Sequence, residues 1–238
     1  MSRIWIGLIL IVVLAGCQVQ PEATPAELDR LQIELTPALD WLRPSFASCA
    51  ADVPGIALTV ETTFQAEQSL EQADILFRWS SSPPTSGEAL KMGMDTLVLI
   101  VNPQNSLSEL TIEQLAGIYS GNLTNWDKPA SAGNIQAWVY PEEEDAQIIF
   151  ARLLPSEMKI VRTARIAPDP RAMLEAVASD RNAIGFIPAR WLDSSVKVVS
   201  ITGGLDENWS VPILGVTANM PSGPVRDWLL CVQNQMQP

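Results

Sequence analysis

The chain has no histidine, only three cysteines and only two tyrosines among its 238 residues. Without histidine, and with no cysteine pair at ligand spacing, it lacks the usual zinc ligands and the base of a Ser-His-Asp or Cys-His triad. Basic residues are also scarce, since 15 Lys and Arg stand against 27 Asp and Glu, giving a formal charge of -12. Such an acidic surface repels phosphate backbones. We therefore expect no metal site, no cofactor and no nucleic-acid partner.

Only one stretch of the chain is continuously apolar enough to suggest a membrane, and it lies at the start. Ser2-Arg3 is followed by an apolar run from Ile4 to Val13 and then by Leu14-Ala15-Gly16-Cys17. The run is too short to span a bilayer as a helix, but its order is that of a secretory signal. The last four residues resemble a bacterial lipobox, whose cysteine is lipidated. An ordinary buried apolar segment is the alternative interpretation.

We therefore expect residues 1–16 to be a signal peptide and Cys17 to be the lipidated amino terminus. Residues 17–29 are polar and rich in proline, which favours a flexible tether. The remaining chain would be anchored by lipid to the cell membrane, on its extracytoplasmic side.

The other two cysteines, Cys49 and Cys231, form an even pair in an oxidising compartment. They lie near the ends of two predicted helices, so we predict a disulfide between them. Two buried free thiols are the alternative. A bond closing so long a loop would stabilise the fold by about 4 to 5 kcal/mol on the chain-entropy model.

Strand-like and helix-like segments alternate after the tether, which predicts an α/β protein with largely parallel sheets. Pro44 should kink the first helix or shift its start. The expected strands are Leu31–Leu35, Ile56–Val60, Asp74–Trp79, Thr96–Val101, Ile135–Val139, Ala183–Ile187, Val196–Ile201 and Pro212–Val216. The expected helices are Ala38–Ala50, Thr111–Gly121, Asp145–Leu154, Asp169–Ala178 and Pro224–Asn234.

One segment carries a family resemblance. Leu107 to Asp127 contains a helix running into Tyr119-Ser120-Gly121 and then Asn125-Trp126. This resembles the phosphate-binding-protein-like substrate-binding proteins of ABC importers. Gly93-Met94-Asp95 and Ile184-Gly185-Phe186 flank it with weaker similarity. We expect Tyr119, Trp126 and Phe186 to build the core or a turn rather than to touch a ligand.

The resemblance implies a type II periplasmic-binding-protein-like fold, in which two α/β lobes joined by crossing hinge strands hold a ligand between them. Residues 30–101 and 206–238 would form lobe 1, and residues 102–205 lobe 2. It also implies a monomer that binds a small polar solute, with an oxyanion such as phosphate favoured, and that delivers it to an ABC permease.

In such a cleft, hydroxyls, an arginine and backbone amides at helix N-termini would hold the oxyanion. Thr36 offers a hydroxyl, and the Ala38 and Leu39 amides follow Pro37. A pairing of Arg78 with a surface carboxylate, and a loop role for the serines, would be the alternative. The expected ligand-binding residues are Thr36, Ala38, Leu39, Arg78, Ser80, Ser81 and Tyr140.

The second lobe departs from the family pattern, because Glu142-Glu143-Glu144-Asp145 replaces the usual Arg and Ser-Gly-Thr turn. Unless these acids face solvent, they repel a dianion and occupy its donors. Two charges about 4 Å apart in an effective dielectric of about 20 interact by about 4 kcal/mol, or close to a thousandfold in affinity.

Two further functions stay open at this point. A lobed protein without transport cargo could serve as a sensor or an assembly lipoprotein. A hydrolase could use the acids of residues 142–145 as general acid and base. Adjacent acids usually form a solvated face and no partner carboxylate or nucleophile is evident, so we expect no enzyme and no catalytic residues.

Overall fold

The computed structural model describes residues 29–80, 82, 84–126, 133–155, 158–202 and 209–237. The expected signal peptide, Cys17, almost all of the tether and Ser81 lie outside these residues. Within them, no helix is long and apolar enough to cross a membrane.

The described part of the chain contains both strands and helices. The strands are β1 (Asp29–Leu35), β2 (Ile56–Thr62), β3 (Ile75–Trp79), β4 (Glu88–Val101), β5 (Glu109–Thr111), β6 (Gln136–Val139), β7 (Arg165–Ile166), β8 (Ala183–Pro188), β9 (Lys197–Thr202) and β10 (Ser210–Thr217). The α-helices are α1 (Arg43–Asp52), α2 (Ile112–Ser120), α3 (Asp145–Leu153), α4 (Pro170–Ser179) and α5 (Gly223–Met236), with short 3-10 helices at Pro37–Leu42 and Ala189–Trp191.

The strands form one continuous sheet in the order β2-β1-β3-β10-β4-β8-β6-β7. Strand β9 pairs with β4 and β5. Parallel pairs join β1 to β2 and β3, and β6 to β7 and β8. Among the described strands, the antiparallel pairs involve β4 or β10. Strand β4 runs from one half of the sheet into the other, and β10 pairs in the opposite direction with its first half. The predicted α/β fold with crossing strands is confirmed, although the sheet is mixed.

Strand β4 is shared by the two halves of the sheet. Residues 88–96 pair with β10, whereas Leu97–Val101 pair with β8 and, from Leu99 onward, with β9. We call the half containing β2, β1, β3 and β10 the first lobe, and the half containing β8, β6 and β9 the second lobe. The sequence puts the boundary after Val101, but the change of pairing partner lies inside β4, near Leu97. The residue ranges of the lobes stay a prediction.

Strand β4 also starts earlier than the sequence predicts, at Glu88 rather than Thr96. Its first half, EALKMGMD, neither alternates nor forms an apolar run, so hydrophobic periodicity gives no signal there. Pairing with β10 holds this half extended, with a register shift at Ile213/Leu214. Tertiary pairing, and not local preference, therefore determines the first half of the strand.

Local sequence signals set several helix ends. Thr111 and Gln114 form a capping box at the start of α2, and Gly121 ends that helix with a φ of 80°. The Asp169 side chain caps α4. Pro44 lies in the first turn of α1 and does not kink a longer helix, because the preceding turn is a separate 3-10 helix.

The second lobe has an aromatic core. The rings of Phe150 and Phe186 stack with centroids 3.9 Å apart, and Tyr119 and Tyr140 meet Phe186 edge-on. Trp126 is half-buried and donates its indole N–H to the carbonyl of Asn182. As expected, the family-like aromatic residues 119, 126 and 186 serve packing and turn geometry.

The first lobe brings both ends of the described chain together. Helices α1 and α5 pack side by side, and Cys49 is bonded to Cys231 with their Cα atoms 5.8 Å apart. Phe46 and Trp228, from the same two helices, pack with ring centroids 5.3 Å apart. The predicted disulfide is therefore present, and it links residues 182 positions apart in the sequence.

Reduction of this disulfide should destabilise the protein markedly. The closed loop is long, so the chain-entropy model gives a loss of about 4 kcal/mol in the free energy of unfolding. Urea unfolding with and without dithiothreitol measures this loss. The double variant Cys49→Ala/Cys231→Ala should be as stable as the reduced protein, and dithiothreitol should not change its unfolding midpoint. An unchanged midpoint on reduction would contradict the expectation.

Candidate functional site

The two lobes meet where the ends of β1 and β3 face the start of helix α3. We call this place the seam and define it by Thr36, Trp79, Glu144 and Asp145. Thr36 follows β1, Trp79 ends β3, and the two acids form the N-cap and first residue of α3. All four residues are buried. The seam is where the resemblance predicts a ligand.

A carboxylate of the protein itself lies at the centre of the seam. The Asp145 Oδ2 atom accepts a hydrogen bond from the Thr36 hydroxyl at 2.5 Å and another from the Trp79 amide at 2.7 Å. Both donors belong to the first lobe, whereas Asp145 belongs to the second. One oxygen atom of Asp145 therefore joins the ends of two strands across the seam.

Glu144 occupies the donors on the other side of the seam. Its Oε2 atom accepts from the amides of Ala146 at 2.5 Å and Gln147 at 3.3 Å, so it is the N-cap of α3. The backbone amide of Ala38 lies close enough to lower the pKa of Glu144, against the larger effect of burial. The N-terminal donors of α3, which would suit an anion, are thus engaged by the chain.

The buried acids have an unusual charge state. Burial raises the pKa of Glu144, and the neighbouring charge of Asp145 raises it further. Burial also raises the pKa of Asp145, to about 6, although hydrogen bonds from Thr36 and Trp79 and the charge of Arg78 oppose this rise. Asp145 is therefore the acid that the seam stabilises as a carboxylate, and Glu144 is the one that holds a proton more firmly.

Arg78 is half-buried beside this pair. Burial lowers its pKa, while attraction to Asp145 raises it. Its Nε atom is buried and has no hydrogen-bond partner among the described residues. On its other side, Arg78 lines a polar cavity of about 330 Å³ together with Gln68, Ser69 and Ser86. The predicted arginine thus contributes positive charge to the seam without a direct hydrogen bond to the carboxylate.

The predicted first-lobe loop is only partly free to bind. The Thr36 hydroxyl is engaged by Asp145, and the Leu39 amide donates to the Thr36 carbonyl at 2.9 Å, closing the 3-10 turn. The carbonyl of Ala38 accepts the indole N–H of Trp191 at 2.8 Å, a second contact between the lobes. Leu39 therefore serves the turn, whereas Thr36 and Ala38 face the seam.

The remaining predicted residues differ in position. The Ser80 side chain is buried and accepts from the Ser82 amide at 3.2 Å, so it shapes the loop after β3. Ser81 lies outside the described residues. Tyr140 packs in the aromatic core, where burial raises its pKa well above the ordinary value, and its hydroxyl has no hydrogen-bond partner among the described residues.

Sequence reasoning omitted three contributors to the seam from its binding set. Trp79 acts through its backbone amide, which no side-chain pattern reveals. The sequence shows Glu144 and Asp145 as acids at a helix start, but it does not show whether their side chains face solvent or the seam. Glu142 and Glu143 are exposed, whereas the next two acids are buried. The two acids in the turn before α3 are therefore in solvent, whereas the N-cap and the first residue of the helix are buried at the seam.

The raised pKa of Glu144 makes stability depend on pH. A carboxyl whose folded pKa exceeds its unfolded value stabilises the fold fully below about pH 4, and that contribution is lost as the pH rises. Glu144→Gln keeps an acceptor for the α3 amides without the charge. It should exceed the wild type in stability at pH 8 by on the order of 1 kcal/mol or more and match it near pH 4.

Chemical denaturation between pH 4 and 9 measures this difference. Glu143→Gln is the matched control, because it removes the same charge from an exposed neighbour. Equal pH profiles for Glu144→Gln and Glu143→Gln would contradict the buried charge state.

Comparison with known proteins supports the fold. A family profile described as a PBP superfamily domain matches residues 34–221. A putative phosphate ABC transporter substrate-binding protein with bound phosphate from Clostridium perfringens superposes with a TM-score of 0.74 at 17% identity, over 86% of this chain and 93% of its own. An ABC-type phosphate transport receptor from Vibrio cholerae gives 0.66 at 19% identity, over 86% and 93%.

The fold is also that of a regulatory domain. The reduced OxyR regulatory domain from Pseudomonas aeruginosa superposes with a TM-score of 0.61 at 12% identity, over 89% of this chain and 98% of its own. No curated protein matches the chain. The profile match over most of the chain, together with the two-lobed mixed sheet, shows that the protein belongs to the PBP superfamily and has the type II periplasmic-binding-protein fold.

Proposed function

We propose that this protein is a lipid-anchored, extracytoplasmic solute-binding protein that works with an ABC permease. The family and the fold support a solute-binding role, and the signal-like start with its lipobox supports the location. The proposed cargo is a small polar solute held at the seam. The proposed mature form is a monomer beginning at Cys17.

One observation carries the proposal of a binding seam: donors from separate elements of the first lobe converge on a carboxylate oxygen. The Thr36 hydroxyl and the Trp79 amide both donate to Asp145 Oδ2. Fixed donors aimed at one anionic oxygen are the arrangement that binds an oxyanion. We therefore favour a ligand that presents an oxyanion or carboxylate oxygen to the first lobe.

Phosphate as a dianion is disfavoured by the same geometry. The acids at the start of α3 are buried at the seam and do not face solvent. A dianion would meet the Asp145 charge and compete for its donors. Solutes of lower charge, or solutes carrying one carboxylate, fit the electrostatics better than the phosphate named for the structural relatives.

A second candidate is a lobed lipoprotein without transport cargo, which acts as a sensor or an assembly factor. The occupied donors favour it, because the seam is already satisfied by the chain. The occurrence of the same fold in OxyR regulatory domains shows that this architecture is also found outside transport. An enzyme is not proposed, since the two buried acids are adjacent and bind the protein's own amides and hydroxyl.

Thermal unfolding in the presence of candidate solutes separates these two functions. The panel contains phosphate, sulfate, molybdate, tungstate and simple monocarboxylates such as acetate. A cargo at about a hundred times its Kd should raise the Tm by about 5 to 10 °C. A rise with one class of anion supports solute binding, whereas no response to the whole panel contradicts it and favours the cargo-free alternative.

The lipid anchor gives a separate prediction. Wild-type protein expressed in a bacterium should partition into the detergent phase of Triton X-114 and gain the mass of its acyl chains. Cys17→Ala should lose both, because each buried methylene contributes about 0.8 kcal/mol to membrane binding and the variant has no acyl chain. Gln20→Ala is the control, because it changes the predicted tether but keeps the lipobox and the disulfide. Detergent partitioning by Cys17→Ala would contradict lipidation at Cys17.

A further inference from the structure

We propose that Asp145 is an internal ligand, a carboxylate of the second lobe that binds the first-lobe donors and closes the two lobes in the absence of cargo. The inference goes beyond solute binding, since it assigns the chain a built-in competitor for its own seam. It applies to both candidate functions.

The contact has the chemistry of a bound ligand. The Thr36 hydroxyl and Trp79 amide come from the ends of different strands, separated from Asp145 by 109 and 66 residues. Neither donor is used to build the helix that carries Asp145. The Asp145 side chain is fully buried, and the nearby charge of Arg78 favours its ionised form. These are the features expected where a protein binds a separate oxyanion.

The neighbouring acid shows that Asp145 is not needed to cap α3. Glu144 accepts from the Ala146 and Gln147 amides and fills that role. Asp145 therefore does not cap its own helix, and its side chain instead binds the first lobe. Its second oxygen, Oδ1, is buried and has no hydrogen-bond partner among the described residues. The hydrogen bonds that the Asp145 side chain makes in this part of the chain therefore both cross the seam.

Other polar contacts also join the lobes among the described residues, including a hydrogen bond from the Arg190 guanidinium to the Met236 carbonyl at 2.7 Å. The indole N–H of Trp191 reaches the Ala38 carbonyl, and Arg152 reaches the Ser82 hydroxyl at 3.2 Å. The Trp191 bond is neutral, whereas the Asp145 bonds are charge-assisted and buried. Loss of Asp145 should therefore shift the closed-to-open equilibrium more than loss of any single neutral contact.

A carboxylate of the chain that competes for the first-lobe donors lowers the apparent affinity for cargo. An external oxyanion binds the first-lobe donors only in molecules whose Asp145 is disengaged, so the apparent Kd is the intrinsic Kd divided by that fraction. Replacing Asp145 by alanine also removes a like charge from the seam. The expected gain in phosphate affinity is about two to three orders of magnitude, the size of the repulsion between charges about 4 Å apart at a partly buried site.

The experiment compares amide hydrogen exchange and thermal unfolding of the full-length protein and its Asp145→Ala variant. In the variant, exchange in the segment containing Trp79 should quicken by about tenfold to a hundredfold, the range for a lost hydrogen bond to a charged group. Segments in the aromatic core of the second lobe should not change. Phosphate should restore the protection and raise the Tm of the variant by about 5 to 10 °C at about a hundred times its Kd.

Three controls keep the outcome decisive. Asp145→Asn retains an acceptor oxygen without the charge, so it should quicken exchange at Trp79 less than Asp145→Ala does. Glu143→Ala removes an exposed acid from the same loop and should change nothing. Thr36→Val removes the donor from the opposite lobe without touching Asp145, and its effect on Trp79 exchange should not add to that of Asp145→Ala. Thr36→Val therefore still tests the contact if Asp145→Ala fails to fold.

The outcomes separate the internal ligand from the proposed cargo. Faster exchange without any response to phosphate supports the internal ligand and contradicts an oxyanion site. Wild-type exchange at Trp79 in both Asp145→Ala and Thr36→Val overturns the internal ligand, whatever solutes the wild-type protein binds.

Discussion

A single buried carboxylate oxygen fixes the relation between the two lobes. Asp145 Oδ2 accepts the Thr36 hydroxyl and the Trp79 amide, so the ends of β1 and β3 and the start of α3 must meet within hydrogen-bond distance. Burying a charge is costly unless it is paired and hydrogen-bonded. A displacement too small to admit water would leave a buried charge and a buried amide without partners, so these atoms stay in contact until the seam opens to solvent.

This contact shows how an acidic protein can hold an anionic oxygen at its seam. The net charge of -12 resides on the whole chain, whereas the seam presents amides, a hydroxyl and the guanidinium of Arg78. Local donors and not global charge determine what a pocket binds. One structure with this fold, a putative phosphate ABC transporter substrate-binding protein, has phosphate bound. In the present chain the carboxylate of Asp145 accepts the hydrogen bonds of the first-lobe donors.

The sequence predicted the parts of this arrangement that depend on local chemistry. The capping box of α2, the Asp169 cap and the position of Thr36 after β1 all follow from residues close together in the chain. It missed the first half of β4, which is extended because the distant strand β10 pairs with it. The sequence also gave no sign that Tyr140 packs edge-on against Phe186, and its role in ligand binding stays a prediction. Trp79 contributes an amide, so its side chain gave no sign of the role.

The remaining question is how a seam contact can control the lobes without endangering the fold. The first lobe is closed on itself by the Cys49–Cys231 bond, and the second has its own aromatic core around Phe150 and Phe186. Each lobe therefore has stabilising contacts that do not involve Asp145. The lobes are joined by crossing strands, of which β4 changes its pairing partners near Leu97. A continuous strand of 14 residues whose two halves pair with different lobes can act as a hinge, because bending near Leu97 need not break the pairs within either half. The energy of the Asp145 contact then acts mainly on the angle between the lobes, which is the variable that a binding protein or a sensor must control.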